Sequence, residues 1–171
     1  MGRPGYENEP AEERAGVTAE ELAWLRFFEG LPGWALGRLA QSAARRRFEQ
    51  GAIVMRQNDE ARYVYFLLSG AVQDLVYFEG VGDLLMGVQQ DEGNLIAGWS
   101  AFKPPYRYTS SMRCEEPSVL LRLPREAFEQ IFDEDPYLGY LILKRVATVI
   151  DRQLEGAITF LLETSSLPEQ Q

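Results

Sequence analysis

The polar groups best spaced to hold something small fall in one stretch, Gly93 to Cys114, which reads GNLIAGWSAFKPPYRYTSSMRC. Gly93 to Ile96 is a glycine-led apolar turn, and GWSAF has the composition of a single helical turn. Pro104-Pro105 stops that turn, because proline has no N–H to donate and restricts the residue before it. YRYTSSMRC then alternates polar and apolar residues as a strand does. A helical turn beginning beside a strand presents free backbone N–H groups, and such a start favours an anion. The hydroxyls of Ser100, Thr109 and Ser110 are spaced to complete the cradle. The competing reading is a packed loop over a β-core, with Trp99 as its plug.

Other chemistries are excluded by residue type. The chain has no histidine, so it holds no Ser-His-Asp triad, no Cys-His pair and no histidine metal site. It has neither a GxxxxGK[ST] loop nor a GxGxxG turn. Asp133 and Asp135 stand together beside Pro136, but at the end of a helix, where acidic pairs are common in any acidic protein. No catalytic residue, metal or cofactor is therefore expected, and the chain is not read as an enzyme.

The stretch needs a frame to position it. Thr18-Ala19-Glu20-Glu21 is a capping box, and the helix it opens carries Leu22, Leu25 and Phe28 at helical spacing. Leu31-Pro32-Gly33 breaks it, and a second helix with Trp34, Leu36, Leu39 and Ala40 runs to about Ala44. From Phe48 the period changes to two. Short strands are predicted at Ala52 to Met55, Tyr63 to Leu68, Ala71 to Phe78, Leu84 to Gln89, Tyr106 to Met112 and Ser118 to Leu123, divided by Gly, Asn and Asp turns. After Pro124 the helical period returns through Ala127, Phe128, Ile131 and Phe132. Asp135-Pro136 starts a long helix running to about Glu163. Its apolar stripe, Leu143, Val146, Ile150, Leu154, Ala157 and Leu161, outlasts what one small domain covers. The part beyond Ile150 is expected to pair with a second copy as a parallel two-fold homodimer.

Composition bounds the rest. The chain is 46% hydrophobic without a run long enough to span a bilayer, and its first residues lack the apolar core of a signal peptide. A single cysteine, Cys114, forms no internal disulfide, which fits the cytoplasm. With a net charge of −9, direct nucleic-acid binding and membrane association are not expected. Arg45-Arg46-Arg47 is read as a solvated strand entrance. The domain plan is a disordered tail at 1–16, a β-domain with leading helices at 17–135, a long helix at 136–164 and a frayed end at 165–171.

This order of elements, together with several short motifs, resembles the cyclic nucleotide-binding domain family. Phe27-Phe28-Glu29-Gly30-Leu31-Pro32 is similar to the family's entry helix. Gly51 to Asp59 (GAIVMRQND) is similar to its first turn, with Asn58 for a glycine, and Tyr65 to Val72 (YFLLSGAV) to its central hairpin. The resemblance covers about residues 20 to 163. It implies an α+β, mainly β fold: an antiparallel β-roll or jelly roll with leading helices and a long final helix. It also implies that the opening stretch is the phosphate-binding cassette, where a glutamate holds the ribose and an arginine pairs with the cyclic phosphate.

The sequence departs from that pattern at both hooks. Tyr108 falls in the arginine slot and Thr109 in the Ser/Thr slot, while Ala97-Gly98 or Gly98-Trp99 stands where Gly-Glu belongs. Arg107 is adjacent, but on a strand it points to the opposite face. Hydrogen bonds to a charged group contribute ~1.5–3 kcal/mol each, so losing two weakens a cyclic nucleotide by about 10²–10⁴. The candidate ligand-binding residues are Ala97, Gly98, Trp99, Ser100, Ala101, Arg107, Tyr108, Thr109 and Ser110. Two functions follow. One is a dimeric, stand-alone sensor for a cyclic nucleotide (cAMP or cGMP) or a related small ligand, signalling through the last helix to a downstream protein. The other is a ligand-independent dimerisation module with a degenerate pocket. A DNA-reading domain after the long helix is not expected.

Overall fold

The computed structural model describes residues 12–13 and 16–165. Helix α1 (Ala19–Ala23) opens on the expected capping box. Glu21 N–H donates to the Thr18 hydroxyl at 3.2 Å, and Thr18 N–H donates to the Glu21 carboxylate at 2.9 Å. The helix ends earlier than its apolar spacing suggested, and Phe27 and Phe28 enter the core from a separate 3₁₀ turn, Arg26–Phe28. Helix α2 (Gly33–Ser42) follows Pro32 and buries Ala35, Leu36 and Leu39.

Among the described residues, nine strands build two antiparallel sheets. In chain order they are β1 (Glu12–Glu13), β2 (Ala44–Phe48), β3 (Ile53–Met55), β4 (Tyr63–Ser69), β5 (Val72–Phe78), β6 (Gly82–Gln89), β7 (Leu95–Ala97), β8 (Ser111–Cys114) and β9 (Ser118–Pro124). One sheet has the order β1-β2-β9-β4-β7 and the other β3-β8-β5-β6. Their facing sides, with α1 and α2, enclose a single core of Phe28, Phe66, Phe128, Leu120, Leu121 and Met112, all fully buried. This is the expected mainly-β roll with helices at both ends. Gly70 lets β4 turn into β5: its φ is +97°, and a Cβ there would lie 2.4 Å from Ser118 Oγ, so only glycine fits.

Several expectations are corrected. Ala44 starts a strand instead of ending a helix, and Arg45 to Arg47 lie within it. The β-pleat sends Arg46 inward and Arg47 out. Glu12–Glu13, inside the stretch read as a disordered tail, pairs with Arg45 and Arg46. The other residues up to Ala15, and 166–171 of the frayed end, lie outside the described residues. Leu95–Ala97, read as an apolar turn, is the edge strand β7. The strand expected from Tyr106 begins only at Ser111, because Tyr106 takes a φ of +54° and residues 106–108 are stitched to the loop at 58–61.

Helix α3 (Arg125–Glu134) and helix α4 (Pro136–Ser165) close the fold. Asp135 caps α4, its carboxylate accepting from Leu138 N–H at 3.0 Å. Leu138, Ile142 and Val146 are buried in the chain's own core. Val146, in the part of the stripe before Ile150, thus packs on the chain's own domain. Beyond it α4 leans across β6 and β7, while Leu143, Ile150, Leu154, Ile158 and Leu161 remain well exposed. No helix of the described residues is long and apolar enough to cross a membrane.

Candidate functional site

Where α4 passes over the roll it leaves a cavity of about 620 Å³. The roll contributes Asp74 and Val76 of β5, Met86 to Gln89 of β6, Leu95 and Ile96 of β7, and then Trp99, Thr109 and Ser110. Asp74 and Val76 share a face because side chains two apart on a strand point the same way. The opposite wall is α4, with Val149, Gln153, Ala157 and Phe160 spaced three to four apart along one face. The Gln89 side-chain amide donates to the Gln153 carbonyl and ties the two walls together at one edge.

The lining is mostly apolar and holds two acids, Asp74 of β5 on its floor and Asp91 in the loop after β6. Burial pushes the Asp74 carboxyl above its ordinary value, and a hydrogen bond from Ser110 partly offsets the shift. Thr109 is exposed beside it. The roll brings no guanidinium or ammonium to this floor; the only cation in the lining is Arg152 of α4.

Of the residues singled out from the sequence, Trp99, Thr109 and Ser110 line the cavity together, and Ala157, Ile150 and Leu154 of the helix stripe join them. The others do not. Ala97 and Ala101 are buried in the core. Ser100 is buried too and takes no part in the lining, so its hydroxyl does not complete a cradle with Thr109 and Ser110. The single turn Trp99–Phe102 is present as a 3₁₀ segment. Gly98 is backed onto β4 at a φ of +92°, where a Cβ would stand 2.4 Å from the Tyr63 carbonyl. Its role is to let the turn approach the strand. Arg107 is exposed, and its guanidinium donates to the Asn58 carbonyl at 2.8 Å.

Tyr108 is the main correction. It stands among the candidate ligand-binding residues, but its ring is buried in the core, away from the cavity lining. Tyr108 N–H donates to Asp59 O and Asn58 N–H to Tyr108 O, which fixes the backbone and turns the ring toward Tyr63 and Tyr65. Burial raises the phenol pKa of Tyr108 and, more strongly, of Tyr65, so both remain neutral donors.

Sequence reasoning missed Asp74, Gln153 and Phe160. The signals were present: Asp74 is the acid between Val72 and Val76 on one strand face, and Val149, Gln153, Ala157 and Phe160 form a second stripe beside the more apolar one. Among the described residues, no cluster of Cys, Asp and Glu is placed to hold a metal ion.

Comparison with known proteins bears on the fold. The family model described as cyclic nucleotide-binding domain matches residues 45–135. A solved protein from Geobacter metallireducens GS-15, classed among cyclic nucleotide-binding proteins, is 25% identical with a TM-score of 0.67, covering 81% of this chain and 98% of its own. A cyclic nucleotide-binding domain from Methylobacillus flagellatus KT superposes at TM-score 0.69 with 17% identity, over 91% of this chain and 85% of its own. The regulatory subunit of a cAMP-independent protein kinase A from Trypanosoma cruzi, bound to guanosine, superposes at 0.65 with 18% identity, over 85% of this chain but 49% of that one. These last two likenesses are of fold alone. No curated protein matches the chain.

Proposed function

The chain belongs to the cyclic nucleotide-binding domain family, and on that footing we propose that it is a regulatory module whose cavity takes the ring portion of a nucleoside-like ligand. The carrying observation is that the cavity has one wall on the roll (Asp74, Trp99, Thr109, Ser110) and the other on α4 (Val149, Gln153, Ala157, Phe160). A ligand filling it touches both, and so favours one placement of the helix over others. Its volume lies within the ~300–1,000 Å³ usual for small-molecule sites. Trp99 offers a face for a planar ring, and Asp74, Ser110 and Thr109 offer acceptors and donors to hydroxyl or amino groups.

A cyclic phosphate set at this floor faces the Asp74 carboxyl with no cation from the roll to offset it. Cyclic AMP and cyclic GMP are thus weaker candidates than uncharged nucleosides, and the T. cruzi relative, which holds guanosine, is a precedent in the same fold. The exposed half of α4 is the surface for a homodimer and for passing the change to a downstream protein. The module is binding, not catalytic. Its acidity speaks against nucleic acid as partner, and its buried free Cys114 suits the cytoplasm.

The ligand-independent dimerisation module remains the second reading, favoured by the residue in the arginine slot, Tyr108, being locked into the core. Calorimetry and thermal shift with adenosine, guanosine, cyclic AMP and cyclic GMP separate the two. The nucleosides are expected to raise the melting temperature at lower concentration than the cyclic nucleotides. If none of the four shifts it at millimolar concentration, the second reading stands.

A further inference from the structure

Next to the cavity lies a smaller cleft of about 340 Å³, lined by Arg26, Phe27, Glu29, Arg145, Thr148 and Arg152 together with Asn94 and Val149. Asn94, Val149 and Arg152 line both hollows, so the two are neighbours across these residues. In a chain of net charge −9 this is an unusual concentration of guanidinium groups, opposed in the lining by the single carboxylate of Glu29.

The arginines are held in different ways. Arg145 is fixed, donating to the Phe27 and Glu29 carbonyls at 2.6 Å each. Arg26 and Arg152 make no ion pair with any described residue. A fixed guanidinium with two others and an asparagine amide at hand is a donor set matched to phosphate oxygens.

We infer that this cleft is a phosphate subsite, taking the exocyclic phosphate of a nucleotide whose ring portion occupies the adjoining cavity. The inference rests on the nucleoside reading of that cavity. It places the ionic contacts at the junction of α4 with the 3₁₀ turn Arg26–Phe28, not in the stretch around Tyr108. A 3′,5′-cyclic phosphate is tied back against its own ribose, whereas a 5′-phosphate chain projects away from the ring and can pass Asn94 into the cleft.

Calorimetry of guanosine, 5′-GMP and 5′-GDP, with the adenosine series in parallel, tests the link between the two hollows. Each 5′-nucleotide is expected to bind about tenfold or more tightly than its nucleoside, from charge-assisted hydrogen bonds. That ratio should fall as salt rises and approach one in R26Q. A ratio near one in the wild type overturns the inference.

Inorganic pyrophosphate tests the cleft alone. It should raise the melting temperature of the wild type and do so less in R26Q, an exposed substitution; an equal shift in both, or none in either, overturns the subsite. If no nucleoside binds while pyrophosphate still discriminates wild type from R26Q, the cavity reading fails and the cleft stands as an anion site.

Discussion

The hydroxyl of Tyr108 closes onto the backbone of Tyr63 from both sides, donating to its carbonyl at 3.1 Å and accepting from its N–H at 3.2 Å. Tyr108 thus serves the start of β4 and not the cavity. Tyr108→Phe removes both contacts without changing the ring. It leaves the Tyr63 N–H without its acceptor, and the expected loss is ~1–3 kcal/mol, read by denaturant unfolding. A loss within error would mean that water or another group replaces the hydroxyl freely.

Asp74 gives stability a particular pH dependence. Its folded-state pKa is raised above the ordinary 3.8 by desolvation. Between those two values the folded state holds more proton than the unfolded one, so this group's contribution falls as pH rises through the window. The cost is complete above the folded pKa and absent below the unfolded one. Asp74→Asn is accordingly expected to exceed the wild type in stability near neutral pH, with the difference shrinking to nothing as pH drops below 3.8. Unfolding of both proteins across that range provides the check, and a pH-independent difference would contradict it. The same variant should bind cyclic nucleotides more tightly than the wild type, since the repelling carboxylate is gone.

Gly98 holds the turn that carries Trp99 against β4. Alanine there meets the Tyr63 carbonyl at 2.4 Å and the Val64 Cα at 2.7 Å, at a φ of +92°. The backbone conformation alone costs ~1–2 kcal/mol for a residue with a side chain, and the overlap adds to it. Gly98→Ala should therefore lower the melting temperature and shift Trp99 emission in a Trp24→Phe, Trp34→Phe background. Unaltered emission would show that the turn does not depend on this close approach.

The outer half of α4 presents Leu154 at 58%, Ile158 at 49% and Leu162 at 66% exposure in the single chain. An apolar strip of this length calls for a partner. Sedimentation should find the wild type dimeric, and the double substitution Leu154→Glu with Leu161→Glu should give a monomer that still folds. A monomeric wild type at tens of micromolar would remove the homodimer from the proposed function.

Much of the fold was legible because its signals are local. The Thr18–Glu21 capping box, the glycine turns and the proline at the head of α4 each act within a few residues, and each is found in place. The site was legible only in part. Trp99, Thr109 and Ser110 were found from their own stretch, whereas the alternation of YRYTSSMRC suggested a strand where Tyr106 in fact turns at positive φ.

By itself the sequence determined most of the order of helices and strands and the absence of histidine chemistry, since these follow from residue type and short-range spacing. Only the tertiary structure decided that Tyr108 faces the core, that Asp74 floors the cavity and that Arg26, Arg145 and Arg152 converge. Those outcomes depend on pairings between segments far apart in the chain, such as residues 106–108 with 58–61 and α4 with the turn at Arg26. Local periodicity carries no information about which distant backbone groups will satisfy one another.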